Sequence, residues 1–586
     1  MRLFLALVGL LAATPACAQW SPAPDPVRAT RGMVVSAERN ASEAGVAALR
    51  AGGNAVDAAV ATGFALAVTF PVAGNVGGGG FLVVRFPDGT ATTLDYRETA
   101  PAAATRDMFL DSAGVFVPTR SQVGALASGV PGAVAGLVAA HERWGRLPLS
   151  DVIAPALALA TDGFALSREE AARLNGFRSR FSQFESTARA FVPAAPFAEG
   201  DRFRQPELAV VLTRIRDRGR AGFYAGETAR LVVEEMRRNG GLITLADLAA
   251  YEPVERPPVV GMYRGHRVIS MGPPSSGGIA LLQLLASVEP FDVRAMGVNS
   301  SATVHLMGEA MRRVYADRAE WLGDPGFTRV PVAGLVDTAY VRARMATFDP
   351  ARTTPSVDLA AGLPPGAAPR ESPQTTHYSV VDADGMAVST TTTLNGAFGS
   401  GLVVGGAGFF LNNEMDDFAA APGVPNMFGL VGSEANAVAP GKRMLSSMTP
   451  TIVESPDGRL LLVVGSPGGG RIITAVFEAI LNVVDHGMTA SEAVAAPRVH
   501  HQHLPDVLFA ERGALARDVA DNLRARGWTV QEEAGRWARV DAVLVACDAA
   551  EARTDPSGLS VSVASTAGCV LLGGADPRGE DAAVGF

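Results

Sequence analysis

The chain has 586 residues, 48% of them hydrophobic and 19% charged, so it can bury a large core and is not a disordered chain. A net charge of −9 excludes a basic field for a nucleic-acid backbone, and a single lysine, Lys442, excludes a lysine-rich patch for an anionic membrane surface. Length alone allows several domains or one large layered α/β structure with insertions.

Residues 1–18, MRLFLALVGLLAATPACA, carry Arg2, an apolar run over 3–13, and then Ala16-Cys17-Ala18, which suits a small-x-small cleavage site. This predicts a secretory signal and an exported protein, periplasmic or secreted. A lipid-anchored reading through Cys17 is disfavoured by Thr14, where a leucine would be needed. The two other cysteines, Cys547 and Cys569, then sit in an oxidising compartment and can pair. No later stretch has the length of an uninterrupted membrane-spanning helix.

Helical spacing over 42–49, Gly52-Gly53 as a stop and Asn54 as a cap predict two packed helices, the second reaching about residue 68. The run GNVGGGG at 74–80 then breaks the pattern before FLVVRF, and Asp88-Gly89 turns that strand into TATTLDYRE. Residues 123–239 read as mostly amphipathic helix, and GPPSSGG at 272–278 feeds another. The segment 353–374 is rich in proline and glycine and reads as an exposed linker.

After the linker the texture becomes strand-rich. TTHYSVVDADGMAVSTTTT at 375–393 alternates like a hairpin turning at 382–385. A two-residue turn at Asp384-Gly385 would set Thr375 opposite Leu394. A four-residue loop would set it opposite Thr392. Either way a hydroxyl of Thr393 or Thr392 lies within its reach. Further strands are expected near 401–410, 460–464, 543–546 and 559–563, with helices near 470–484 and 516–527.

Several residue groups could carry chemistry. HHQH at 500–503 has metal-ligand composition, but adjacent histidines diverge on a helix or strand, so a hydrogen-bonding role is expected and no metal. The glycine loops at 77–80, 277–278 and 468–470 lack the lysine of a nucleotide-binding loop. They can still offer bare N–H groups to an oxyanion, and Gly468-Gly469 before a helix suits that. Thr375 stands where a flexible linker meets a hairpin. A threonine hydroxyl is a poor nucleophile without a base, and cleavage after Gln374 would make its own α-amine that base.

The segment TTHYSVVDADGMAVSTTTTLNGAFG at 375–399 closely resembles the signature of the γ-glutamyltransferases, also called γ-glutamyltranspeptidases or glutathione hydrolases. Matching blocks include LDYRETAP at 94–101, YADRAEWLGDPGF at 315–327, NNEMDDF at 412–418, RMLSSMTPTIV at 443–453, GSPGGGRIIT at 465–474 and APRVHHQHLPD at 496–506. The resemblance runs from about Arg31 to the C-terminus.

It implies an α+β fold, the αββα sandwich of N-terminal-nucleophile hydrolases, formed jointly by a large subunit of 19–374 and a small one of 375–586. Thr375 would be the nucleophile and Thr393 its companion hydroxyl, with Gly468 and Gly469 as oxyanion donors. Arg97, Ser446 and Ser447 would hold the α-carboxylate of a glutamyl group, and Asn395, Glu414 and Asp417 its α-ammonium. Donors would be glutathione and other γ-glutamyl compounds, acceptors water, amino acids or dipeptides, with no metal or organic cofactor. Phe428 lies in a segment like the family's lid, where bacterial relatives often carry tyrosine, and its missing hydroxyl implies a looser gate. Two other readings are a cephalosporin-type glutaryl acylase of the same fold and an unprocessed protein that only binds γ-glutamyl compounds.

Overall fold

The hairpin that begins at Thr376 is the centre of the architecture. A computed structural model describes residues 23–359, 375–421, 423–547 and 568–586. The signal segment 1–18, Gln374, most of the 353–374 linker and the strand expected at 559–563 lie outside them.

Strands Thr376–Asp382 and Ala387–Thr393 pair antiparallel, with Thr376 opposite Thr392 and Val381 opposite Ala387. The register falls between the two expected from sequence. Asp382 N–H donates to the Met386 carbonyl at 3.1 Å, and three residues between them make the turn. Gly385 takes φ +82°, the left-handed conformation such a loop needs. The Asp382 carboxylate accepts from the N–H groups of Asp384, Met386 and Ala55, tying the turn to the start of a helix.

This hairpin is the middle of a seven-stranded antiparallel sheet in the order Ala582–Gly585, Gly32–Ser36, Thr376–Asp382, Ala387–Thr393, Gly79–Arg85, Ala91–Asp95, Val254–Arg256. Segments on both sides of residue 375 alternate in it, so the expected cleavage point is not a boundary of the fold. A second seven-stranded sheet packs face to face on the first. Its order is Val27–Ala29, Cys569–Gly574, Asp541–Cys547, Leu460–Gly465, Thr451–Glu454, His266–Ser270, Val259–Tyr263. Met33, Val35, Phe81, Val83, Ile269, Ile452, Val463 and Val543 fill the space between the sheets. Truncating the fully buried Phe81 to alanine would cost about 3–5 kcal/mol.

Helices cover both outer faces. Ala55–Thr69 is buried at every residue, starts with an Asn54/Asp57 capping box, and lies on the first sheet beside helix Arg39–Arg50. Gly277–Val288 and Arg471–Val484 cover the second sheet. The result is helix, sheet, sheet, helix. Cys547 and Cys569 stand directly opposite on paired strands and form a disulfide, with Cα atoms 4.1 Å apart. The strand expected at 401–410 is reduced to one isolated bridge, Val403 to Phe410, because Gly401, Gly406 and Gly408 take positive φ and coil the segment. Among the described residues no helix is long and apolar enough to cross a membrane.

Candidate active site

Thr375 is buried and immediately precedes the strand Thr376–Asp382. Extending the observed register by one residue sets it beside Thr393. Side-chain alternation continues this pair into the gap between the sheets. His377 Nδ1 bonds Thr391 Oγ1 at 2.9 Å and its Nε2 bonds Ser379 Oγ at 3.0 Å. Ser379 and Ser389 each donate to a carbonyl of the opposing sheet, Asp541 and Val464. Burial holds His377 down to about 3, so it is neutral, with both nitrogens engaged. A column of hydroxyls and one imidazole thus fixes the hairpin beneath Thr375.

The glycine run at 74–80 presses on the same hairpin. A Cβ on Gly78 would lie 2.0 Å from the Thr393 carbonyl oxygen, and one on Gly80 2.5 Å from that of Thr391. Asn75 closes the contact, donating from Nδ2 to Thr393 O at 2.9 Å and accepting the Gly78 N–H at 2.9 Å. These glycines serve close backbone approach rather than an anion. Gly277 does the same beside Thr449, where its Cβ would lie 2.3 Å from Oγ1.

The loop at 468–470 differs. Gly468 and Gly469 take φ +134° and +56°, conformations side chains rarely adopt, just before helix Arg471–Val484. Neither N–H has an acceptor among the described residues. Both residues border Thr375, Gly469 in one cavity and Gly468 in a second. Two bare N–H groups beside a hydroxyl are what an oxyanion requires.

The first cavity encloses about 290 Å³ and is lined by Thr375, Thr393, Asn395, Gly469 and Phe428, and by the charged groups Arg97, Glu414, Asp417 and Arg318 with Ser446 and Ser447. Arg97 is fully buried. Its Nη1 donates to Glu414 Oε1 and its Nη2 to Asp417 Oδ2, and Glu98 Oε2 lies 3.7 Å from Nη1. Resemblance assigns Arg97 to the α-carboxylate and the two acids to the α-ammonium of one glutamyl group, and the structure sets these groups side by side in one cavity. Opposite charges removed from water close on each other.

Burial works against the Arg97 charge, but Glu414, Asp417 and Glu98 outweigh it and hold the guanidinium firmly protonated. Burial pushes all three carboxyls up, Glu98 to about 8, because one arginine cannot offset three acids. Asn395, at φ +71°, accepts no strain a glycine would avoid, since asparagine tolerates this region. Its N–H donates to Thr393 Oγ1 at 2.7 Å and its Nδ2 to the Asn413 carbonyl at 3.0 Å, leaving Oδ1 for the cavity.

Ser446 and Ser447 form the other wall. Ser446 N–H donates to Pro274 O, and Ser447 Oγ accepts from Arg318 Nη2 at 2.9 Å. Phe428 is buried with its ring against Gly469. Asn426 beside it donates to Asp417 Oδ1 at 3.0 Å, so the segment is fastened to the acid cluster. On the far side of Thr375, a wider groove of about 700 Å³ runs past Gly468, Trp537, Arg536 and Arg539.

Every residue of the described chain that the resemblance assigns to the site lines this cavity or the groove beside Thr375. Two contributors were missed. Arg318 lies in the last turn of helix Ser301–Trp321, on the face that carries Met311, Val314 and Tyr315, and Glu98 follows Arg97 without a signal of its own. The histidines at 500–503 take hydrogen bonds as expected: His500 with Thr474 and Gln502, His501 with Asp506. Among the described residues no cluster could hold a metal ion.

Comparison with known proteins agrees with this fold. A family profile described as Gamma-glutamyltranspeptidase matches residues 41–584. The glutathione hydrolase proenzyme of Escherichia coli (strain K12) is 49% identical over 507 residues, 86% of this chain and 87% of that protein. Cephalosporin acylase from Bacillus halodurans superposes with a TM-score of 0.81 at 25% identity, covering 98% of this chain and 99% of that one. Helicobacter pylori γ-glutamyltranspeptidase is 46% identical with a TM-score of 0.55, covering 56% of this chain and 94% of that one.

Proposed function

The chain belongs to the γ-glutamyltranspeptidase family, and from that premise we propose an exported, autoprocessing γ-glutamyltransferase and glutathione hydrolase with Thr375 as nucleophile. The observation that carries this reading is a single cavity lined at once by Thr375, Thr393 and Gly469 and by an acid cluster with a serine pair. It suits an amino-acid head group held at a distance from the bond to be cut.

In maturation, Thr375 Oγ attacks the Gln374 carbonyl, the peptide bond shifts to an ester, and water opens it. This gives a large subunit of 19–374 and a small one of 375–586 that begins with a free α-amine. Both remain in one fold, because each contributes strands to both sheets.

In turnover, the α-amine takes the Thr375 hydroxyl proton as Oγ attacks the γ-amide of glutathione. The oxyanion forms beside the Gly468 and Gly469 N–H groups, and the C–N bond breaks with a proton going to the leaving amine of cysteinylglycine. Water, or the amine of an amino acid or dipeptide arriving through the groove past Gly468, then cleaves the γ-glutamyl ester. Glu414, Asp417 and Asn395 Oδ1 receive the α-ammonium, and Arg97 with Ser446 and Ser447 the α-carboxylate, far from the reacting bond, which converts binding into orientation.

The acylase reading draws on the fold shared with cephalosporin acylase. The acid cluster disfavours it, because a glutaryl group brings no ammonium for Glu414, Asp417 and Asn395 to receive. A binding protein would need neither Thr375 nor the bare glycine N–H groups. Release of 4-nitroaniline from γ-glutamyl-4-nitroanilide, compared with deacylation of glutaryl-7-aminocephalosporanic acid, tests the choice. The first is expected to dominate; the reverse would favour the acylase.

A further inference from the structure

Thr375 borders a second space, and positive charge lines it. The groove of about 700 Å³ has Arg173, Arg536, Arg539 and Arg578 in its walls against one carboxylate, Glu169. Three of these guanidiniums are already paired: Arg173 with Glu169, Arg539 with Asp581 at 3.0 Å, and Arg578 with Glu511 at 2.6 Å. Arg536 is different. It is exposed and, among the described residues, has neither a hydrogen bond nor an ion pair.

The fold fixes this charge in place. Arg173, on helix Arg168–Gly176, and Arg539, just before strand Asp541–Cys547, both lie over the ring of Phe70, 5.0 and 5.2 Å from its centre. Two guanidiniums on one ring repel each other, and burial together with the Arg539 charge holds Arg173 below its ordinary value. An anion entering the groove offsets that repulsion. The backbone at Arg536 is set by Trp537, whose N–H donates to Glu511 Oε1 at 2.8 Å and whose ring lies 4.2 Å from the Arg471 guanidinium.

The position of the groove decides which anion it meets. With the acyl group in the cavity of Glu414 and Asp417, the amine half of the donor, or an incoming acceptor amine, lies on the side of Thr375 that Gly468 borders. A dipeptide reaches about 7 Å from its amine, and its far end is a free carboxylate. A neutral amine brings nothing for these arginines to bind.

We propose that this groove recognises the carboxylate of the amine-side partner, the leaving peptide or the acceptor, with Arg536 as a specificity-determining residue backed by Arg173 and Arg539. This rests on the γ-glutamyl reading of Thr375. It gives the protein a second selection, for peptides with a free C-terminus, made apart from the glutamyl pocket.

Two pairs of compounds that differ in that charge test the proposal: glutathione and its C-terminal amide as donors, and glycylglycine and glycylglycinamide as acceptors from γ-glutamyl-4-nitroanilide. For each, kcat/KM is measured in wild type, Arg536→Gln and Arg536→Glu, without and with added salt. Wild type is expected to prefer the acid in at least one pair. In R536Q that preference is expected to fall by up to about 5-fold, the scale of an exposed ion pair, and in R536E to fall further. Added salt is expected to shrink the preference in wild type more than in R536Q. A fall confined to the glutathione pair assigns the groove to the leaving peptide, and one confined to the glycylglycine pair assigns it to the acceptor. No preference in wild type, a preference that both variants keep, or equal losses for acid and amide would each overturn the proposal.

Calorimetry of glycylglycine and glycylglycinamide binding separates this result from the functional reading. If wild type cleaves no γ-glutamyl donor yet binds the acid over the amide, and R536Q does not, the γ-glutamyl reading fails and the groove assignment stands. Cleavage of the donors without such a preference keeps the reading and removes the groove.

Discussion

Phe428 lies against Gly469: a Cβ on that glycine would come 2.5 Å from Phe428 Cδ1. The ring thus packs on the loop that carries the two bare N–H groups beside Thr375. Gly469→Ala would force the ring away and strain a residue held at φ +56°, moving its N–H out of place. Loss of one oxyanion donor typically costs about 10²–10³ in kcat, the scale for misplacing this one. Steady-state kinetics with γ-glutamyl-4-nitroanilide is expected to show a fall of that size in kcat; a variant that loses only KM would contradict the oxyanion role.

The segment carrying Phe428 is fastened from outside the ring. Asn426 holds Asp417, and Gln502 Nε2 donates to the carbonyls of Phe428 and Gly429 at 3.5 and 3.3 Å. The phenyl group adds packing but no hydroxyl. Phe428→Tyr is expected to tighten the gate and lower the share of acyl groups passed to an added dipeptide relative to water. Product analysis measures that ratio, and an unchanged value would count against a gating role for this position.

Asp417 faces both Arg97 and the cavity. Asp417→Asn keeps the shape and removes a charge meant for an ammonium. Hydrogen bonds to charged groups contribute about 1.5–3 kcal/mol, so kcat/KM for γ-glutamyl-4-nitroanilide is expected to fall about 10- to 100-fold, mostly through KM. Glutaryl-4-nitroanilide, which lacks the ammonium, is expected to lose little. Equal losses on both substrates would show that Asp417 only supports Arg97.

Glu98 is wholly buried, and neither of its oxygens has a hydrogen-bond partner among the described residues. Burial raises it from 4.5 to about 8, against the pull of Arg97. Its folded value therefore lies above its unfolded one. The stability it allows is fully present below about pH 4.5 and is lost as pH rises through about 8. Glu98→Gln removes this dependence. Thermal melts are expected to show the variant gaining on wild type as pH is raised from 5 towards 8; parallel curves would place the Glu98 proton elsewhere.

Much of this site was legible in the primary structure because it depends on local patterns. Alternation over 375–393 sets Thr375 near Thr393, and Asn54 announces the helix behind the sheet. The hairpin register was missed by one residue, because a three-residue turn with a left-handed Gly385 leaves no mark that separates it from its neighbours. The glycine run at 74–80 offered no way to tell a ligand loop from close packing, since that depends on the carbonyls of Thr391 and Thr393 in another segment. Arg318 illustrates the same limit. Its meaning comes from Ser276 and Ser447, which only the tertiary fold brings to it.

The central claim is that Thr375 is freed by cleavage and then carries the acyl group. Rapid quenching of the purified protein during turnover of γ-glutamyl-4-nitroanilide, followed by mass spectrometry, tests it most directly. The account predicts a small subunit beginning at Thr375, with one γ-glutamyl group attached to that residue, and a single uncleaved, unlabelled chain for Thr375→Ala. A wild-type chain that stays in one piece, or an acyl group found on any other residue, would contradict it.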